Sequence, residues 1–141
     1  MREAVQATDA LIMAAAVADF RPASQAPQKI KKSDADVWQL ELVRNADILT
    51  EVRGDFVRVG FAAESQNLLE NALQKLHAKQ LDLIVANDIS TPDSGFAVDD
   101  NQATIIDAQG ERLALPLMSK RELADQILDK LVKLLGQRRT R

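Results

Sequence analysis

The sequence predicts an α/β fold: three layers, with a parallel sheet between helices on both faces, and a β-hairpin toward the C-terminus. Three observations carry this. Residues 10–17 (ALIMAAAV), 56–63 (FVRVGFAA) and 82–86 (DLIVA) are short continuous apolar runs, the pattern of strands buried on both faces. Two helical patterns separate them. Strand, helix, strand, helix, strand is the order of a right-handed α/β unit.

Taken in order, the chain opens on a short helix that leads into the first strand. The helical pattern over 46–53 should end at Gly54, and the one over 68–79 places Leu69, Leu73 and Leu76 on one stripe. Residues 103–107 and 112–115 flank DAQG, a turn sequence that predicts an antiparallel hairpin. For the last helix, Ser119 and Glu122 form a capping box, Leu123, Ile127, Leu131 and Leu134 form the buried face, and Gly136 marks the end. The expected organisation is one domain over 1–136 with a disordered tail over 137–141.

Composition sets limits on function. With 46% hydrophobic and 28% charged residues the chain can bury a core, and a net charge of -3 points to neither nucleic acid nor an acidic surface as partner. Cysteine is absent, which excludes disulfides and thiol nucleophiles. No run approaches the roughly 20 apolar residues of a membrane span, and MREAVQAT lacks the features of a signal peptide. A cytoplasmic setting is expected.

The usual phosphate cradles, GxGxxG and GxxxxGK[ST], do not occur. Three parallel strands are also fewer than a typical sheet holds, so the expectation is that the beginning of the domain is missing.

Candidate chemistry gathers where the strands end, the side of an open α/β sheet that binds ligands. Asp19 follows the first strand and could hold a magnesium ion or a ribose hydroxyl, or simply cap a turn. Lys29, Lys31 and Lys32 follow the loop PASQAPQ and could close over phosphates, or be a solvated charge run. In GFAAE, Phe61 could stack on a base or belong to the core, and Glu64 lies at the sheet edge. Lys75 and Lys79 are four apart on one helix and could reach a nucleotide, or serve solubility. Asn87 opens NDIS at the end of the third strand. His77 is the only histidine and sits among polar residues, which makes a metal site or a histidine triad improbable.

Read in order, AAAVADFRP, KIKK, NADIL, GFAAE with KLHAKQ, and DLIVANDIS resemble the phosphopantothenate-cysteine ligase domain of the bacterial bifunctional coenzyme A enzymes, over nearly the whole chain. The resemblance implies a Rossmann-like sheet and a two-step reaction. The carboxylate of 4'-phosphopantothenate attacks the α-phosphate of CTP and releases pyrophosphate; the amine of L-cysteine then displaces CMP from the phosphopantothenoyl-CMP intermediate. It implies Asp19 on the nucleotide, with magnesium arriving with CTP, and Lys29 as the catalytic flap lysine. Ala46, Asp47, Ile48 and Leu49 stand at the segment beside the nucleotide, where Ala46 replaces the family's usual proline. Phe61 is its aromatic, Lys75 and Lys79 its nucleotide-contacting lysines, and Ala15, Ala18, Phe20, Ala63, Glu64 and Asn87 support them.

The family's N-terminal glycine-rich turn, with the asparagine and arginine used on phosphopantothenate, has no counterpart in this sequence, and FMN would enter only with a decarboxylase domain fused upstream. A homodimer is implied. The competing reading is a non-catalytic nucleotide-binding module; a nicotinamide-dependent dehydrogenase is disfavoured by the missing glycine fingerprint.

Overall fold

The structure is a computed structural model that describes residues 3–31, 37–64, 66–90 and 99–139. The expected opening helix is not formed. Residues 3–7 make turns closed by bonds from the Gln6 N–H to the Glu3 carbonyl and from the Thr8 N–H to the Val5 carbonyl. Val5 is held instead by packing against Val52 and Phe56.

Strand β1 (Ala10–Met13) is half the length of its apolar run. Residues 14–18 leave the sheet as exposed chain, because alanines offer little side chain to bury and are poor strand formers. Strands β2 (Phe20–Pro22) and β3 (Leu42–Arg44) pair antiparallel as a separate ribbon that local patterning did not predict. Helix α1 (Ile48–Glu51) is one turn rather than the eight residues expected. Asp47 caps its start by accepting from the Thr50 N–H at 3.2 Å, and Val52 turns extended to bury itself against Phe56.

Strand β4 (Val57–Glu64), helix α2 (Leu68–Lys79) and strand β5 (Leu83–Asp88) follow as predicted. The buried face of α2 keeps Leu73 and Leu76 of the expected stripe and leaves Leu69 out. Ala72 and Leu76 are buried with Leu68 and Leu73 beside them, whereas Leu69 is exposed. The small Ala72 permits the close approach of helix to sheet.

The short strand β6 (Asp100–Asn101) precedes β7 (Ala103–Asp107) and β8 (Arg112–Ala114), the predicted hairpin, which turns at Gly110 with φ of 84°. This positive φ is the conformation glycine adopts without strain. Strand β9 (Met118–Ser119) pairs with β6 and runs into helix α3 (Lys120–Arg139). The capping box is present: the Glu122 N–H donates to Ser119 Oγ at 3.2 Å, and the Ser119 N–H to Glu122 Oε2 at 2.9 Å. Gly136 does not end the helix. A glycine inside a helix costs only about 1 kcal/mol relative to alanine, and Arg138 ties the last turn down by ion pairs to Asp82 at 2.9 Å and Asp55 at 3.5 Å.

The main sheet runs β1-β4-β5-β7-β8. β1, β4 and β5 are parallel, and the hairpin joins antiparallel to β5. One face, with Val57, Val59, Leu83, Val85 and Ile105, packs on Leu123, Ile127 and Leu131 of α3. The other, with Ala62, Ile84, Ala86 and Ile106, packs on Ala72 and Leu76 of α2 and on Leu49. The fold is the expected three-layer α/β arrangement with helices on both faces.

Candidate functional site

The parallel strands all point their C-terminal ends one way, and the segments following β1 and β3 fold over that rim. They enclose a cavity of about 520 Å³ whose wall includes Met13 to Phe20, Arg44 to Leu49, Phe61, Ala63, Lys79 and Asn87. Its construction starts from unpaired backbone. The chain after β1 has left the sheet and is exposed, so its polar groups bond to water or to a neighbouring segment. Asn45 supplies two of these bonds: its Nδ2 donates to the Ala18 carbonyl at 2.7 Å and its backbone N–H to the Asp19 carbonyl at 2.8 Å. Arg21 donates in turn to Asn45 Oδ1 at 3.0 Å and to the Arg44 carbonyl at 3.1 Å. The Arg44 guanidinium lies over the Phe20 ring, 5.8 Å from its centroid, within cation–π range.

Asp47 and Lys79 close one side of the cavity, with Lys79 Nζ 3.0 Å from Asp47 Oδ2. Partial burial alone would raise the Asp47 carboxyl, but hydrogen bonds from Lys79 and from the Thr50 N–H outweigh it and hold the group below its ordinary value. A second ion pair, Lys75 with Glu64, stands just outside, where Asn71 also donates to Glu64 at 3.0 Å. The Lys75 hydrogen bond is the largest influence lowering the Glu64 carboxyl.

The expected residues are therefore not all brought together. Ala15, Ala18, Asp19, Phe20, Ala46, Asp47, Ile48, Leu49, Phe61, Ala63, Lys79 and Asn87 line the cavity; Lys29, Lys75 and Glu64 do not. Lys75 and Lys79 share a helix but have different partners, Glu64 and Asp47. Lys29 and Lys31 lie exposed between β2 and β3, and Lys32 lies outside the described residues. Phe61 is half-buried: it packs against the α3-side core, as its core reading has it, and also lines the cavity.

Arg44 and Asn45 were missed as site residues. Asn45 opens the NADIL motif and could have been found there, because a carboxamide carries both donors and an acceptor and can join two chain segments. Asn87 Oδ1 is buried without a hydrogen-bond partner. His77 is exposed on α2, as expected of a surface residue.

The chain matches the DNA/pantothenate metabolism flavoprotein C-terminal domain over residues 1–135. It belongs to that family. It is similar to the coenzyme A biosynthesis bifunctional protein CoaBC of Bacillus subtilis (strain 168), 44% identical across 97% of this chain and 35% of that protein. The protein of the same name in Escherichia coli (strain K12) is 42% identical across 91% of this chain and 33% of its own length. The chain thus spans about a third of the curated relatives it matches. In structure it resembles the crystal structure of the C-terminal domain of CoaBC, with a TM-score of 0.73 and 35% identity over 96% of this chain and 61% of that one. Among the described residues no helix is long and apolar enough to cross a membrane.

Proposed function

We propose that this chain supplies the CTP site of a phosphopantothenate-cysteine ligase, which joins 4'-phosphopantothenate to L-cysteine through a phosphopantothenoyl-CMP intermediate in coenzyme A biosynthesis, in the cytoplasm. The observation that carries the reading is the convergence of Asp19, Ala46 to Leu49, Phe61 and Lys79, drawn from four separate stretches of sequence, on one cavity at the C-terminal rim of the sheet. The relationship to CoaBC supports the same chemistry.

In this reading Phe61 offers a face to the base, and the Lys79 ammonium meets phosphate oxygens, with Asp47 holding the lysine in place until they arrive. The exposed backbone of 14–18 gives the nucleotide close access to main-chain donors and acceptors. A magnesium ion would arrive with the triphosphate. Among the described residues no group of three His, Cys, Asp or Glu could hold a metal by itself, so Asp19 would complete a shell supplied mainly by phosphate and water. Lys29, carried on the segment between β2 and β3, would neutralise charge that develops during acyl and phosphoryl transfer.

The proposal includes a homodimer. Ile30, Val37, Trp38, Leu40 and Leu42 in the β2 to β3 region are all exposed, Trp38 at 71%, and this concentration of exposed apolar residues along one segment supports an interaction site there. Light scattering tests this part, and a stable monomer that binds CTP removes the dimer while leaving the nucleotide site.

The nucleotide reading is tested by calorimetric titration of CTP and ATP with magnesium. CTP is expected to bind more tightly and to raise the melting temperature more; failure of both to bind, or equal binding, overturns it. The position of Lys29 off the cavity wall favours one alternative, a module that binds nucleotide without activating a carboxylate. Turnover of phosphopantothenate, CTP and cysteine by the full-length protein separates the two.

A further inference from the structure

Arg58 occupies a place where an arginine is not expected. It lies on β4 between Val57 and Val59, both fully buried, and is itself only 5% exposed. A guanidinium taken that far from water needs its donors met inside the protein; both terminal nitrogens are met, and Nε is buried without a partner. Nη1 donates to the Gln80 carbonyl at 3.1 Å, and Nη2 donates to the Leu49 carbonyl. The backbone of Arg58 is also fixed, its N–H donating to Asp82 Oδ2 at 2.8 Å and its carbonyl accepting from the Asp82 N–H at 2.9 Å.

The two carbonyls belong to the segments that build one wall of the cavity. Leu49 is two residues beyond Asp47 in α1. Gln80 follows Lys79 directly and closes α2 in the left-handed conformation, with φ of 53°. We infer that Arg58 is a positioning residue for the nucleotide site, because its guanidinium bridges the backbones of α1 and the end of α2 and so sets the separation at which Asp47 and Lys79 face each other. This rests on the nucleotide reading above.

A planar fork can bridge two carbonyls at once, whereas a lysine ammonium carries the same charge as a single compact point on a flexible stem. Burial and the neighbouring Arg53 disfavour the charge on Arg58, and Asp82 and Asp47 favour it. Its charge and its bridging geometry must therefore be separated by experiment.

The test uses Arg58→Lys and Arg58→Met in the whole chain, with Val59→Ala on the opposite face of the same strand as a control for lost stability. Two quantities are measured: the titration of the Asp47 carboxyl by carbon NMR, and the affinity for CTP by calorimetry. Both Arg58 variants should return Asp47 toward an ordinary carboxylate and weaken CTP about tenfold, while Val59→Ala lowers the melting temperature and leaves both readouts at wild-type values. If Arg58→Met does not fold, Arg58→Lys alone carries the test. Wild-type titration and affinity in Arg58→Lys would show that charge suffices and overturn the proposal. Equal changes in Val59→Ala would reduce Arg58 to a general structural role and also overturn it. If the wild-type chain binds no CTP, the nucleotide reading fails on its own, and the Asp47 titration still decides whether Arg58 sets the pair.

Discussion

Gly60 shows how a single missing methyl group shapes the packing. A Cβ built there would stand 2.6 Å from Leu81 Cδ1 and 3.4 Å from Leu49 Cδ1, and both leucines are buried. The glycine therefore leaves room for Leu81 against β4, while Leu49, part of the cavity wall, would meet the added methyl at ordinary contact distance. Gly60→Ala should destabilise by about 1 to 3 kcal/mol through overpacking, read as a lower melting temperature. CTP affinity should change little, because the side chain that must move is Leu81, which does not line the cavity. An unchanged melting temperature would mean that Leu81 moves aside freely. Lys29 presents the opposite case, an exposed residue whose proposed role lies in the transition state. In the full-length protein Lys29→Gln should reduce kcat more than CTP affinity, by roughly a hundredfold for a loss of about 3 kcal/mol. Lys31→Gln and Lys32→Gln should change turnover little. Equal losses in all three variants would return the cluster to a solvated charge run.

Among the elements, those specified by short-range signals form where the sequence places them. The start of α3 follows from Ser119 and Glu122, whose reciprocal bonds satisfy donors that would otherwise be orphaned at a helix N-terminus. Ser119→Ala should cost about 1 kcal/mol and lower the melting temperature by about 3 °C in a chain of this size, with CTP binding unaffected because the cap is not part of the cavity wall. The ends of α1 and α3 were misjudged for the same physical reason. Helix length depends on what packs against the last turn. Val52 is drawn out of α1 into a cluster with Val5 and Phe56, and Arg138 extends α3 past Gly136 by reaching Asp82. Neither contact leaves a trace in local periodicity.

For the whole molecule, the acidic side of the pH range should be the weak side. Asp47, Glu64, Asp88 and Glu122 are all held below their ordinary values, Glu64 chiefly by Lys75 and Asp88 chiefly by Ser90. A carboxyl whose folded value is depressed contributes stability that is present above its unfolded value and is lost as the pH falls through the folded one. Melting temperatures measured from about neutral down to about pH 3 should therefore drop below the ordinary carboxylate range near 4. Lys75→Met should make the drop shallower, because Glu64 then loses the largest influence that lowers it. A melting temperature that is flat across that window would show that these ion pairs and hydrogen bonds add nothing to the fold.

By itself the sequence determined the three parallel strands, the helix α2 between the last two, the hairpin, the cap of α3 and the rim on which Asp19, Phe61 and Asn87 would meet. These follow from apolar runs, turn residues and caps that act over a few positions, and from the rule that parallel strands present their C-terminal ends together. The tertiary structure alone decided which candidates face the cavity. Lys79 lines it and Lys75 does not, although four residues separate them, because Asp47 approaches α2 from the start of α1 and Glu64 from the end of β4. It also decided that Asn45 would hold the chain after β1 and that Arg58 would be buried under α1 and α2. Each of these contacts joins segments at least nine residues apart, and no local pattern encodes the partner of a side chain that must cross the fold to find it.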